Sequence, residues 1–223
     1  MRSKEYCRPA HSSPANFNHL ARIYRWAEWF TFGPILSKCR VEFLPAMKSQ
    51  QSALVIGDGD GRFTARLLQQ NSRVVVDALD ASEGMLQELK RRAAPNASRI
   101  HALNLDAREF IAPSHHYDLI ATHFFLDCLT TDEVARLAAG LREGVAEGAL
   151  WVVSDFAVPN TRYAKLPAQL LITALYKAFG ILTGLRIRHL PDHVTALARS
   201  GFKLMQRRER LGGLLASELW QAY

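Results

Sequence analysis

The chain is predicted to fold as an α/β protein with a mostly parallel sheet and helices on both faces. From residue 53 to residue 201, short apolar runs alternate with helical patterns. Such alternation is typical of parallel strands that are covered by helices. Near the C-terminus, two strand-like runs flank Gly212 and Gly213, which predicts an antiparallel hairpin. The length of 223 residues suits one domain with additions.

Composition excludes several classes of protein. Hydrophobic residues make up 48% of the chain and charged residues 22%, which is ordinary for a globular protein. Cys7, Cys39 and Cys128 are odd in number and far apart, which argues against a disulfide framework and against a zinc site. We therefore predict no metal site and a cytoplasmic location. Residues 1–13 lack the apolar core of a signal peptide.

The net charge of +7 is unevenly distributed along the chain. Residues 51–157 carry ten positive and fifteen negative side chains, whereas residues 1–50 carry eight and three, and residues 158–223 carry ten and three. Basic flanks attract nucleic acid, anionic lipid or acidic substrates, or simply keep a protein in solution. The sequence has no basic patch with interleaved aromatic residues, so nucleic acid is disfavoured as a partner.

Five strands are predicted in the central part of the chain, with helices between them. The predicted strands cover residues 53–56, 73–79, 99–105, 117–125 and 149–155. Helix starts are indicated by Ser82, by Thr130 with Glu133 at capping-box spacing, and by Asp192 before a helix that Gly201 closes. The order of strands and helices agrees with a parallel sheet.

Three alternating glycines directly follow the first strand. Gly57, Gly59 and Gly61 let the backbone turn tightly and bring main-chain N–H groups close to a ligand without an intervening Cβ. One interpretation is a cofactor loop, and the other is a strand-to-helix turn without a ligand. The acidic residues downstream favour the cofactor loop.

Acidic residues end the next two strands. Asp80 lies 19 residues after Gly61, where a carboxylate can accept hydrogen bonds from ribose hydroxyls. Because Ser82 follows, a helix-capping role is the alternative for Asp80. Asp106 lies beside Ala107, a pair suited to an adenine amino group and ring. Ligands of open parallel sheets bind beyond the carboxyl ends of the strands, so these positions predict a nucleotide-containing cofactor.

The order of these motifs resembles class I S-adenosylmethionine-dependent methyltransferases. The resemblance covers residues 50–223 and is carried by the glycine loop, Asp80-Ala81-Ser82 with Met85-Leu86, Asp106-Ala107, Tyr117-Asp118-Leu119-Ile120 and Ser200-Gly201-Phe202. It implies a methyltransferase domain over residues 49–223 with a Rossmann-like, seven-stranded sheet whose last strand inserts antiparallel. It also implies S-adenosylmethionine as cofactor, with contacts to the methionine portion at Gly57, Gly59 and Gly61, to ribose at Asp80, and to adenine at Asp106 and Ala107.

One position departs from the family pattern. Such enzymes usually have an acidic residue two positions before the first glycine, where this chain has Val55. The ammonium group of the cofactor's methionine portion then needs another acceptor, and we hypothesise that Asp58 or Asp60 substitutes electrostatically. The expected set of cofactor contacts is completed by Ala81, Met85 and His123.

A second, shorter resemblance concerns the N-terminus. Residues 16–24 are similar to the opening helix of quinone and lipid methyltransferases. This implies that residues 1–48, with a disordered start, form a helical lid carrying Tyr24 over the cofactor. Residues 160–190 are expected to form a helical insertion over the active site. Within it, residues 166–185 are apolar with a polar stripe, so peripheral membrane contact is the alternative and a membrane span is disfavoured.

Methyl transfer from a sulfonium is an in-line displacement, to which a protein contributes alignment and exclusion of water. His123, at the end of the fourth predicted strand, is the first candidate for a general base, followed by Asp127 and Asp155. His19 and Tyr24 are candidates from the lid. The apolar lid segments favour a small lipophilic acceptor, such as a quinone-like ring, a lipid amine or a hydrophobic metabolite. No oligomeric state is favoured.

Two other functions stay open at this point. A nucleotide-dependent dehydrogenase shares the glycine loop and the acidic residue, although its loop would read Gly-x-Gly-x-x-Gly, whereas Gly61 is followed here by Arg62 and Phe63. A protein that binds S-adenosylmethionine without catalysis is compatible with Val55. Binding of NAD, or of S-adenosylmethionine without turnover, would distinguish these alternatives.

Overall fold

A seven-stranded sheet forms the centre of the protein. The computed structural model describes residues 33–159 and 190–223. In these ranges the strands are β1 (Ser52–Ile56), β2 (Val75–Asp80), β3 (Ile100–Asn104), β4 (Tyr117–His123), β5 (Val145–Phe156), β6 (Phe202–Arg210) and β7 (Leu215–Ala222). The helices are α1 (Gly33–Val41), α2 (Arg62–Gln70), α3 (Glu83–Arg92), α4 (Thr131–Gly144) and α5 (His193–Arg199). Residues 1–32 of the predicted lid and residues 160–189 of the predicted insertion lie outside the described residues.

The strand order in the sheet is β3-β2-β1-β4-β5-β7-β6. Strands β1 to β5 pair in parallel, whereas β7 pairs antiparallel with both β5 and β6. The predicted seven-stranded sheet with an inserted antiparallel strand is therefore confirmed. The chain leaves β1 toward β2 on one side and returns to β4 on the other. In open α/β sheets, ligands bind at such a switch point, beyond the carboxyl ends of the strands.

Each face of the sheet has its own hydrophobic core, because successive side chains of a strand point to opposite faces. On the α4/α5 face, Ile120 and Trp151 of the sheet pack with Leu137 and Leu197 of the helices. On the α2/α3 face, the sheet residues Val55, Ala121 and Leu119 pack with Phe63 and Leu89. Helices on both faces are thus confirmed.

Helix α1 lies on the α2/α3 face near the carboxyl end of β5. The main-chain oxygen of Cys39 accepts hydrogen bonds from Ser154 Oγ at 3.0 Å and from Ser217 Oγ at 3.1 Å. The helix ends at Val41, and a separate 3₁₀ turn that contains Pro45 follows over Leu44–Met47.

All three predicted helix starts are present. Ser82 Oγ accepts a hydrogen bond from the Met85 N–H, and Asp192 Oδ1 accepts one from the Thr195 N–H. Thr130 and Glu133 form the reciprocal capping box. Across residues 33–159 and 190–223, no helix has the length and apolar character needed to cross a membrane.

Candidate functional site

The three glycines of the loop after β1 have positive φ values of 69°, 58° and 79° at Gly57, Gly59 and Gly61. A Cβ on Gly57 would come within 2.5 Å of Phe125, and one on Gly61 within 2.6 Å of Leu89. A Cβ on Gly59 would meet no atom within 4 Å. Packing therefore requires glycine at both ends of the loop, whereas the middle glycine borders open space where a ligand can approach the main chain.

Asp58 of the loop is buried and faces the first turn of α2. Its Oδ1 accepts a hydrogen bond from the Phe63 N–H at 3.2 Å, and its Oδ2 accepts from the N–H and the hydroxyl of Thr64, both at 2.8 Å. Burial raises the pKa of Asp58, while the bonds from Thr64 and the charge of Arg40 oppose that rise. Asp58 therefore satisfies main-chain donors at the start of the helix.

Asp60 connects the loop to α3. Its carboxylate accepts hydrogen bonds from Arg62 Nε at 3.2 Å and from Arg92 Nη2 at 2.6 Å. Arg92 Nε also donates to the main-chain oxygen of Asp60 at 2.8 Å. Both loop carboxylates thus bind donors of the protein itself. Electrostatic compensation for Val55 by Asp58 or Asp60 stays a prediction.

Asp80 ends β2 beside the glycine loop. Its Oδ1 accepts a hydrogen bond from the Ser82 N–H at 2.8 Å. The pKa of Asp80 is raised overall from 3.8 to about 6, mainly because the side chain is buried. The charge of Asp58 also raises it, whereas the N–H groups of Ser82 and Gly59 lower it. Asp80 therefore makes the contact at the start of α3 that the helix-capping alternative predicts. It also lies beside Gly59 of the loop, which keeps the ribose role possible as a prediction. Next to it, Ala81 is exposed and Met85 is half-buried.

Asp106, the predicted adenine contact, is bound by an arginine that the sequence analysis did not identify. Arg108 donates to the Asp106 carboxylate through Nη2 at 2.6 Å and through Nε at 3.0 Å. This hydrogen bonding holds the pKa of Asp106 below its usual range. Arg108 also lies 3.3 Å from Glu133 at the start of α4. Ala107 is buried in the core of the α4/α5 face.

His123 is the last residue of β4 and lies next to the glycine loop, because Thr122 pairs with Ile56 of β1. The side chain is 2% exposed, and its ring centroid lies 4.3 Å from that of Phe63. Within the described part of the chain, neither ring nitrogen has a hydrogen-bond partner. Burial, together with the charge of Arg40, lowers the pKa of His123 to about 3. The imidazole is therefore neutral at neutral pH.

The residue after His123 ends β4 earlier than predicted. Phe124 has a φ of 55°, which is rare for a bulky side chain and incompatible with an extended strand. Its ring lies 5.8 Å from that of Phe156 and 4.9 Å from the guanidinium carbon of Arg40. Sequence reasoning missed Arg40 and Phe156 as neighbours of the site, since these residues meet Phe124 only through the tertiary fold.

Asp127 and Asp155 form a buried pair at the carboxyl ends of β4 and β5. Asp155 Oδ2 accepts a hydrogen bond from the Asp127 N–H at 3.1 Å, and its Oδ1 accepts one from the Phe156 N–H at 2.9 Å. Burial raises the pKa of Asp127 to about 6. Burial, with the charge of Asp127, raises the pKa of Asp155 well above its usual range. Since two adjacent carboxylates cannot both ionise easily, one of them retains its proton.

The glycine loop, Asp80 and His123 are brought together at the switch point between β1 and β4. Tyr24 and His19, the candidates from the lid, lie outside the described residues. The described ranges contain no group of His, Cys, Asp or Glu side chains arranged to hold a metal ion.

Comparisons with known proteins agree with this geometry. Residues 53–148 match the family model described as "Methyltransferase domain". No curated protein matches the chain in a sequence comparison.

Solved methyltransferase structures share the fold. The N-methyltransferase NodS from Bradyrhizobium japonicum WM9, in complex with S-adenosyl-L-homocysteine, is 14% identical with a TM-score of 0.63, over 86% of this chain and 88% of that chain. An O-methyltransferase family 2 protein from Planctomyces limnophilus DSM 3776, in complex with apigenin, is 18% identical with a TM-score of 0.69, over 92% of this chain and 60% of that chain. The mitomycin 7-O-methyltransferase MmcR is 15% identical with a TM-score of 0.67, over 94% of this chain and 61% of that chain.

The chain thus spans about 60% of the length of two of these three proteins. At identities of 14–18%, these structures establish the fold alone. The strand order and these structures give the chain the Rossmann-like fold of class I methyltransferases, and its residues 53–148 match a methyltransferase domain.

Proposed function

We propose that this chain is an S-adenosylmethionine-dependent methyltransferase that transfers the methyl group to a small, apolar acceptor. The observation that carries the proposal is a group of three phenylalanines at the carboxyl ends of β4 and β5: Phe124 is buried, and Phe125 and Phe156 are half-buried. The rings of Phe124 and Phe156 meet edge to face, and Phe125 packs against Gly57 of the loop. Aromatic side chains with few polar groups are typical linings of small-molecule sites.

The small molecules named with two similar structures support the same class of substrate. The Planctomyces limnophilus protein was solved with apigenin, and MmcR is named for methylation of mitomycin. Both proteins have the fold of this chain. We extend the chemical class of these molecules, and not their identity, to the chain described here.

The residues beyond the ends of β1 and β2 fit S-adenosylmethionine. Open space at Gly59 gives a ligand access to the main chain, and the Asp80 carboxylate can accept hydrogen bonds from ribose hydroxyls. We retain Asp106 and Ala107 as the proposed adenine contacts, and Ala81 and Met85 as further proposed contacts of the cofactor. When bound, the cofactor supplies a methyl group on a positively charged sulfur, already activated for displacement.

The protein's own contribution is to position the acceptor and to exclude water, effects that together reach roughly 7–11 kcal/mol in well-aligned reactions. For a hydroxyl acceptor, we propose Asp127 as the general base, because its pKa of about 6 lies near neutral pH. His123, with a pKa of about 3, is a poor base for this role.

The test is a methyl-transfer assay with labelled S-adenosylmethionine and a panel of acceptors. The panel contains a flavonoid, a quinol, a lipid amine, RNA and a peptide, and both label transfer and S-adenosylhomocysteine release are measured. We expect turnover with apolar acceptors. With a hydroxyl acceptor, Asp127→Asn should lower turnover at least about tenfold while leaving cofactor affinity unchanged.

Turnover on RNA without turnover on apolar molecules would contradict the proposed acceptor. Cofactor binding without turnover on any member of the panel would instead support a non-catalytic role. Preferential binding of NAD would contradict the cofactor assignment.

A further inference from the structure

The amino-acid end of the cofactor lacks its usual acidic acceptor in this protein. Val55, at the position where that acidic residue normally lies, is buried in the core of the α2/α3 face. Asp58 accepts three hydrogen bonds from the start of α2, and Asp60 is bound by two arginines. The ammonium group of the methionine portion therefore requires an acceptor other than a strand-end carboxylate.

His123 points to the same face of the sheet as Val55. Strands β1 and β4 are parallel neighbours, with Val55 opposite Ala121. Because side chains alternate along a strand, His123 shares the face of Ala121 and lies one step nearer the carboxyl edge. Its ring contact with Phe63, at the start of α2, agrees with this placement. An imidazole here borders the space that a carboxylate at position 55 would face.

The imidazole of His123 has unused hydrogen-bonding capacity. It is 2% exposed, and neither Nδ1 nor Nε2 has a partner among the described residues. Buried polar side chains in native proteins are almost always hydrogen-bonded, so such a ring indicates a partner beyond the described residues, and a bound ligand is one such partner. A neutral imidazole provides one acceptor nitrogen and one N–H donor.

We propose that the imidazole of His123 accepts a hydrogen bond from the ammonium group of the cofactor's methionine portion and so replaces the acidic residue absent at position 55. The inference rests on the cofactor site proposed at the glycine loop. Burial and the nearby charge of Arg40 keep the imidazole neutral, so a lone pair is available. His123 is accordingly a cofactor-binding residue.

The affinities of three ligands distinguish the contribution of the ammonium contact from that of the rest of the cofactor site. S-adenosylhomocysteine carries both the ammonium and the carboxylate group, its decarboxylated analogue keeps only the amine, and 5′-methylthioadenosine lacks both. Calorimetry with purified full-length protein gives the affinity for each ligand. The variants are His123→Phe, which keeps an aromatic ring against Phe63, and His123→Asn, which keeps an acceptor. The matched control is His101→Phe on β3, whose side chain is 66% exposed.

We expect His123→Phe to weaken binding of S-adenosylhomocysteine and of its decarboxylated analogue about tenfold or more, since a hydrogen bond to a charged group is lost. Binding of 5′-methylthioadenosine should change less than about twofold, because it has no ammonium group. His123→Asn should lose less affinity than His123→Phe, and His101→Phe should leave all three affinities unchanged. Without ligand, His123→Phe should melt at or above the wild-type temperature because an unpaired polar ring is removed.

Equal losses for all three ligands in His123→Phe would overturn the inference, because they would indicate a general distortion of the site. Unchanged affinity for S-adenosylhomocysteine would also overturn it. Should His123→Phe fail to fold, the same three-ligand comparison in His123→Leu and His123→Asn decides. Failure of the wild-type protein to bind any of the ligands would instead contradict the cofactor site itself.

Discussion

Gly59 differs from the two other glycines of the loop in what surrounds its missing side chain. Gly57 and Gly61 are held against Phe125 and Leu89, so their replacement would disturb the packing of the protein. Gly59 has positive φ but borders open space. Within this five-residue loop, substitutions can therefore distinguish positions that matter for stability from the position proposed to matter for cofactor binding.

Replacing Gly59 by alanine should mainly weaken cofactor binding, whereas replacing Gly61 by alanine should mainly lower stability. Gly59→Ala should cost about 1–2 kcal/mol of stability, the cost of a left-handed backbone, and should weaken S-adenosylhomocysteine binding at least about tenfold. In Gly61→Ala the new Cβ would lie 2.7 Å from the main chain of Leu89, so overpacking should cost a further 1–3 kcal/mol, roughly. Urea unfolding and calorimetry measure the two effects. Undiminished binding in Gly59→Ala would contradict the loop's role.

The ribose contact proposed for Asp80 would link cofactor binding to pH. Its pKa of about 6 means that the carboxylate loses its hydrogen-bond accepting charge in mildly acidic solution. The folded protein holds this proton more tightly than the unfolded chain does. The contribution of Asp80 to stability therefore falls as pH rises from 3.8 to about 6.

Cofactor affinity should rise as pH increases through about 6, because only the ionised Asp80 is a full acceptor for ribose hydroxyls. Calorimetric titrations with S-adenosylhomocysteine between pH 5 and pH 8, at about half-unit steps, measure this dependence. Asp80→Asn should bind more weakly at neutral pH and should lose the dependence near pH 6. A variant that keeps the wild-type pH profile would assign the titration to another group, such as Asp127.

Among the elements, β7 carries a buried charge that joins the end of the sheet to α5. Glu218 is 1% exposed; its Oε2 accepts from Trp220 Nε1 at 2.9 Å and lies 3.0 Å from His193 Nε2. Its Oε1 accepts from Arg207 Nη1 at 2.6 Å. Burial alone would raise the pKa of Glu218, but the hydrogen bond and charge of His193, with Trp220 and Arg207, lower it overall. The inserted strand is thereby bound to Arg207 of β6 and to His193 of α5.

Glu218→Gln should lower the free energy of unfolding by about 3 kcal/mol at neutral pH, because Arg207 and His193 lose a buried acceptor charge. The folded-state pKa of Glu218 is depressed, so its stabilisation is present above pH 4.5 and is lost as pH falls below that value. Urea unfolding at several pH values should therefore show a smaller loss of stability on acidification in Glu218→Gln than in wild type.

A matched control is Glu209→Gln. Glu209 binds the same arginine at 2.9 Å, but its side chain is 47% exposed. Surface ion pairs contribute little, so this variant should lose less than about 1 kcal/mol. Equal losses in the two variants would contradict the importance of burial at Glu218.

At the scale of the whole molecule, the site exists because the order of the strands reverses at β1: β2 and β3 lie on one side of it and β4 on the other. The loop after β1, the end of β2 and the end of β4 meet at one edge, although Gly59 and His123 are far apart in sequence. Helix α1 covers the α2/α3 face near the carboxyl end of β5. It is held there by the hydrogen bonds that the main-chain oxygen of Cys39 accepts from Ser154 and Ser217. The binding region is thus assembled by topology.

Local signals predicted much of this fold. The caps at Ser82 and Asp192 and the capping box at Thr130 depend on residues three positions apart, so a short stretch of sequence contains them. The prediction extended the fourth strand by two residues, through Phe124 and Phe125. Phe124 and Phe125 continue the apolar pattern of the strand. The left-handed backbone of Phe124 is instead imposed by its packing and by the hydrogen bond from its N–H to the main-chain oxygen of Ser154.

The sequence by itself determined the α/β class, the antiparallel end of the sheet, the order of the cofactor motifs and the departure at Val55. The α/β class and the antiparallel hairpin follow from periodicity and spacing within short segments, whereas the order of the cofactor motifs and the departure at Val55 follow from the resemblance to methyltransferases. Only the tertiary structure decided that Asp58 faces α2, that Asp60 faces Arg92 and that His123 is buried beside Phe63. The physical reason is that the direction of a side chain and the partner it finds depend on residues distant in the chain, which no local pattern encodes.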